Sequence, residues 1–175
     1  MTLNFFRALV SVYLMFNCAC ASTPTSDLSD RAVAFRYQRV DGQIDTLGRH
    51  RGKIVLVSVF ATWAEPALLE VPLFKRLQNR FGPEQFIIIQ IAIDQEQEAV
   101  EVYAETFEVE HLVGWPLNLA RFTGEKGPLG PVNVLPSSIL LDTEGKVIRH
   151  LEGTWDPKIL EETLVSLLAA DRSSH

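Results

Sequence analysis

Residue types able to carry redox, nucleophilic or metal chemistry are sparse in this chain. It has two cysteines, Cys18 and Cys20, and four histidines, His50, His111, His150 and His175. A thiolate attacks disulfides and binds soft metals, so the position of the cysteines decides whether either chemistry is open. Both precede residue 22, and residues 22–175 contain no sulfhydryl group. The histidines show no metal-ligand spacing, so each is expected to be a surface or hydrogen-bonded residue. No Ser/His/Asp triad can be picked out from residue order, because triads are set by geometry. A mature domain without metal, cofactor or structural disulfide is expected.

The cysteines sit in a segment of a different kind. MTLNFFRALVSVYLMFNCACAS carries one cation, Arg7, then the apolar run Ala8 to Phe16, then small residues. This is the layout of a secretory leader, and the run is too short for a membrane span of roughly 20 apolar residues. Two processing outcomes stay open. Ala19 and Ala21 fit cleavage after Ala21, whereas Ala19-Cys20 resembles the end of a bacterial lipobox, in which Cys20 would be lipidated and become the N-terminus. The expected organisation is a leader over 1–21, a flexible tether over 22–31 and one domain over 32–171. The domain is expected outside the cytoplasm, on the periplasmic side of a bacterial membrane, anchored through Cys20 or else secreted.

Composition excludes other classes. A hydrophobic fraction of 47% with 22% charged residues suits an ordinary globular domain and excludes global disorder. Sixteen Lys and Arg against 22 Asp and Glu give a net charge of -6, which makes nucleic acid an unfavourable partner.

Two β-branched apolar runs, Lys53 to Phe60 and Gln85 to Ile93, have the pattern of central strands buried on both faces. Between them Leu68, Val71, Leu73, Phe74 and Leu77 recur at helical spacing, giving a crossover with parallel strands. Pro66 suits the first turn of that helix and Pro72 is expected to kink it. Gln95 to Val109 predicts a second helix, and Gly114 to Pro131 a loop rich in Gly and Pro. Ser137 to Asp142 and Lys146 to Leu151 form a hairpin, as do Val33 to Val40 and Gln43 to Leu47 around Asp41-Gly42. Asp156 caps a last helix that begins with Pro157. The fold class is therefore α/β, with a central mixed sheet flanked by helices and an N-terminal β-hairpin extension.

This order resembles the thioredoxin superfamily, and more narrowly the TlpA/ResA-type branch of extracytoplasmic thiol–disulfide oxidoreductases. The resemblance is carried by Gly52-Lys53, Ala61-Thr62-Trp63, Glu70 with Pro72, Pro136, and Asp142 with Gly145, and it spans most of residues 33–169. It implies a thioredoxin-like fold with two cysteines at positions where this chain has Ala64 and Ala67. Alanine has no redox couple, so thiol–disulfide exchange there is chemically excluded.

A binding surface can outlast the loss of sulfur. The resemblance implies that Pro136 is cis and that the backbone of Leu135 pairs with an extended substrate segment. Trp63, Glu65, Pro66, Leu135 and Pro136 would then form a groove for an extracytoplasmic protein or peptide. Trp63 and Pro136 also have a purely structural reading, as residues that hold the fold. The resemblance places Glu70 beneath the lost cysteines, and as a helix carboxylate it is expected to be solvated or paired with a cation such as Arg49. Leu68 and Leu69 either extend an exposed apolar patch or belong to the core, with helical period favouring core for Leu68. The function implied is a redox-inactive binding module acting in maturation or assembly of envelope proteins. The alternative is a thiol–disulfide oxidoreductase of the cytochrome c maturation type altered at its two cysteines.

Overall fold

The computed structural model describes residues 24–123 and 126–173. One seven-stranded mixed sheet runs through them in the order β2-β1-β5-β4-β3-β6-β7. Within it β3 (Ile54–Phe60) is paired in parallel with the middle strand, β4 (Phe86–Ala92), and antiparallel with β6 (Ser137–Leu141). Strand β7 (Val147–Glu152) closes one edge. On the other side β5 (Leu112–Pro116) lies parallel to β4, and the hairpin of β1 (Arg36–Arg39) and β2 (Ile44–Thr46) is attached to β5.

All seven residues of β3 are buried, as an apolar run without alternation requires when both faces of a sheet are covered. Ile54 and Leu56 face α3 (Val71–Phe81) and α6 (Pro157–Ser173), in a cluster with Phe74, Leu77, Leu160 and Leu164. Val55, Val57 and Val59 face the opposite layer, packing with Phe35, Phe122 and Leu129. A third cluster, containing Phe60, Ala67, Val71, Val100 and Tyr103, underlies α4 (Gln97–Thr106). Asp156 caps α6, its carboxylate accepting from the Ile159 amide at 3.0 Å.

Three local expectations are corrected. Of the expected tether over 22–31, residues 24–31 are not unstructured, because α1 (Pro24–Val33) is a helix. Leu28 and Ala32, one turn apart, turn the same face to the core, and Ala32 is fully buried. Arg31 holds the helix down by donating to the Gly127 carbonyl at 2.5 Å. Residues 112–116 form β5 rather than entering a loop at Gly114. A Cβ at Gly114 would stand 2.2 Å from the Gln38 carbonyl oxygen, so the glycine is what lets β1 approach β5. Finally, Pro72 does not kink one long helix. A short helix α2 (Glu65–Leu68) ends at Leu69, and α3 starts afresh with Pro72 in its first turn. The remaining helix, α5 (Leu119–Phe122), falls within the segment read as loop.

The leader, Cys18, Cys20 and the cleavage point after Ala21 lie outside the described residues. Among those described, no helix is long and apolar enough to cross a membrane.

Candidate functional site

The site occupies the carboxyl end of β3, where the chain turns into α2. Thr62 fixes the turn, since its backbone N–H and hydroxyl both donate to the Asp94 carboxylate, at 3.0 and 2.5 Å. Trp63 follows, 73% exposed. Ala64 is the N-cap of α2, and the Ala67 N–H donates to its carbonyl at 3.0 Å, so the two alanines share one turn. Both are buried, whereas Glu65 and Pro66 are exposed. Leu68 is half-buried against the third cluster, as helical period required, and Leu69 is 74% exposed.

The second wall comes from the segment entering β6. Ser137 pairs with Val59, so continuing that antiparallel register puts Pro136 opposite Phe60, beside the β3–α2 turn. Pro136 is buried and the Leu135–Pro136 peptide bond is cis. The Leu135 side chain packs against the core, so its contribution to a groove is confined to its backbone, to which no hydrogen bond is found among the described residues. The apolar side chain that this segment presents to solvent is Val134, 46% exposed, which pattern reading missed.

Beneath this rim lies a polar layer. Ser138, Ser58 and Gln90 are direct cross-strand partners on β6, β3 and β4, and all three are buried. Glu70 meets this row and is neither solvated nor paired with Arg49, which instead lies 3.7 Å from Asp45. Its carboxylate accepts from the Ser58 hydroxyl and from the Trp155 backbone N–H, each at 3.4 Å. Burial raises its pKa to about 7, outweighing the lowering effect of those two donors. The Trp155 indole donates to Ser138 at 2.7 Å. On the far side Gln90 Oε1 accepts from the Tyr103 hydroxyl at 3.0 Å and lies 2.6 Å from His111 Nε2. Burial pushes Tyr103 up to about 12 and His111 down to about 4. Glu70 has a signal in the sequence: it lies three, four and seven residues before Leu73, Phe74 and Leu77, on the buried stripe of α3.

No family model matches the chain. It is 26% identical over 138 residues to the thiol-disulfide oxidoreductase ResA of Bacillus thuringiensis subsp. konkukian, covering 79% of this chain and 77% of that protein. A crystal structure titled as a putative thiol:disulfide interchange protein DsbE from Chlorobium tepidum superposes with a TM-score of 0.69 at 22% identity, over 78% of this chain and 94% of that one. The pneumococcal exposed lipoprotein thioredoxin from Streptococcus pneumoniae superposes with a TM-score of 0.62 at 18% identity, over 76% and 98%. The chain has a thioredoxin-like fold, and in sequence it is similar to ResA-type thiol-disulfide oxidoreductases.

Within that fold, the turn from β3 into α2 carries no thiol. Glu65 is the one ionisable side chain between Trp63 and Leu69, and it is exposed. Among the described residues, no group of three or more His, Cys, Asp or Glu is arranged to hold a metal ion. His50 contacts Asp45 and Tyr37, at 3.3 and 3.5 Å, and His111 is buried in the polar layer against Gln90, so neither is an exposed residue of the rim. What the rim presents is exposed apolar surface at Trp63 and Leu69, with alanine at both Ala64 and Ala67.

Proposed function

We propose that this protein is a redox-inactive thioredoxin-fold module of the bacterial envelope that binds an extended segment of another extracytoplasmic protein. Its groove comprises Trp63, Glu65, Pro66, Pro136 and the backbone of Leu135. One observation carries the reading. Trp63 and Leu69, the most exposed large apolar side chains described, stand at the two ends of α2, at a site without a thiol. Exposed aromatic and aliphatic anchors beside an open backbone are what strand-like peptide recognition uses. The envelope location rests on the leader-like first 21 residues and on Cys20 as the lipidation residue, with cleavage after Ala21 as the other route. Similarity to an exposed lipoprotein thioredoxin supports the anchored form.

Photo-crosslinking in the producing cells tests the binding reading. A photoreactive residue at Leu69 should yield a discrete protein adduct that Trp63→Ala abolishes, while the same residue at exposed Ile159 on α6 should yield none. Equal labelling from both positions would contradict it.

A further inference from the structure

One concave site lies away from Trp63. It is a cavity of about 320 Å³ between α1, the start of β1, α5 and residues 126–128. That size is within the range of small-molecule sites, roughly 300 to 1,000 Å³. It opens at the carboxyl end of β5, and β4 separates β5 from β3. Carboxyl ends of parallel strands are where open α/β sheets take ligands.

Its chemistry is two-sided. The floor is aromatic: Phe35 and Phe122 pack with ring centroids 5.0 Å apart, and Leu117 adds an exposed aliphatic wall. The rim is cationic: Arg36, Arg121 and Lys126 line it, all exposed, with no salt bridge to any of them and no carboxylate in the lining among the described residues. Three such cations around one apolar hollow, in a chain of net charge -6, amount to a local reversal of the molecule's charge. The wall is also held in place. Arg31 bridges α1 to the 126–128 segment, its guanidinium reaching the Gly127 carbonyl at 2.5 Å and the Asp27 carboxylate at 3.2 Å.

We propose that this cavity binds a small amphipathic organic anion, with a flat or short aliphatic body on Phe35, Phe122 and Leu117 and a carboxylate or phosphate held by Arg36, Arg121 and Lys126. Guanidinium groups suit such a head because they donate paired hydrogen bonds to planar or tetrahedral oxyanions. The enclosed apolar floor favours a free small molecule over a bilayer surface, which would need exposed cations but no hollow.

Amide NMR titration of the full-length chain in non-ionic detergent provides the test, with 1-naphthoate as the probe. It should saturate shifts centred on Phe35, Leu117 and Phe122, and neutral 1-naphthamide should bind about tenfold more weakly, as loss of charge-assisted hydrogen bonds implies. Arg36→Gln combined with Arg121→Gln should weaken naphthoate by a similar factor without lowering Tm, and Trp63→Ala should leave it unchanged. Should the double variant unfold, Lys126→Gln serves in its place, with a smaller loss expected. Equal affinity for the amide, shifts centred on Trp63 and Val134, or no saturable binding would each overturn the assignment. So would rim-dependent binding to phosphatidylglycerol vesicles without binding of naphthoate, which would mark a membrane-facing surface.

Discussion

The rim of the site and the layer directly beneath it are built on opposite principles. Trp63 and Leu69 at the rim are large apolar groups in water, whereas Glu70, Ser58, Gln90, Ser138 and His111 are polar groups buried in the protein. The polar layer is held by the fold: Glu70 joins β3 to the segment before α6 through Ser58 and Trp155. No comparable contact holds Trp63, so its exposure gains nothing for stability. Residues kept by structure and residues available for contact thus sit as near as Glu70 and Leu69, consecutive in the chain, and stability and binding should respond to different substitutions.

The widest separation is expected between two residues of one type. Trp155→Ala, which empties a buried site, cuts an indole hydrogen bond and removes the ring beneath Arg149, should cost about 4 kcal/mol in urea unfolding. Trp63→Ala should change stability by less than about 0.5 kcal/mol, because the ring is largely in water. A large loss of stability from Trp63→Ala would erase the distinction.

The buried layer should also show itself in pH dependence, through two groups of opposite sign. Glu70 has a folded pKa of about 7 against its ordinary 4.5, so its contribution is fully present below about 4.5 and is lost as pH rises through about 7. His111 has a folded pKa of about 4 against 6.5, so its contribution is present above about 6.5 and is lost as pH falls towards 4. Between pH 4.5 and 6.5 the two slopes oppose each other. Glu70→Gln should therefore leave stability rising with pH by roughly 3 kcal/mol, and His111→Gln should leave it falling by a similar amount, in chemical unfolding followed from pH 4 to 8. Parallel profiles for the two variants would show that these groups do not titrate as buried residues.

Two smaller effects sharpen the boundary. Thr62→Val removes the hydroxyl donor to Asp94 and should cost about 1 to 2 kcal/mol, since a charged acceptor loses one of its hydrogen bonds. Leu69→Ser should leave unfolding unchanged within about 0.5 kcal/mol while weakening partner adducts formed by a photoreactive residue at Val134.

Regular periodicity made much of this molecule legible in the sequence. The two central strands, the apolar stripe of α3, the C-terminal hairpin and the Asp156 cap follow from runs and spacings that water enforces. Elements stabilised by neighbours were hidden. Strand β5 contains Gly114 and Pro116 and has the composition of a loop until β1 lies against it. Helix α1 has few apolar residues, yet Leu28 and Ala32 suffice once Arg31 and Ser29 anchor it, the Ser29 hydroxyl accepting from the Val147 N–H at 3.0 Å. The break between α2 and α3 reverses the usual meaning of an interior proline, because Pro72 starts a helix. At the site, Trp63, Ala64, Ala67 and Pro136 were legible by position. Glu70 was misjudged because a carboxylate suggests solvent, although its spacing from Leu73, Phe74 and Leu77 points inward.

Insulin reduction by dithiothreitol bears most directly on the central claim, that the turn from β3 into α2 works by contact rather than electron exchange. The assay uses the full-length chain carrying Cys18→Ser and Cys20→Ser, beside the same chain with Ala64→Cys and Ala67→Cys added. The first should not exceed the uncatalysed rate, and the second should accelerate precipitation, showing that the scaffold lacks only its sulfurs. Catalysis by the first protein would contradict the account.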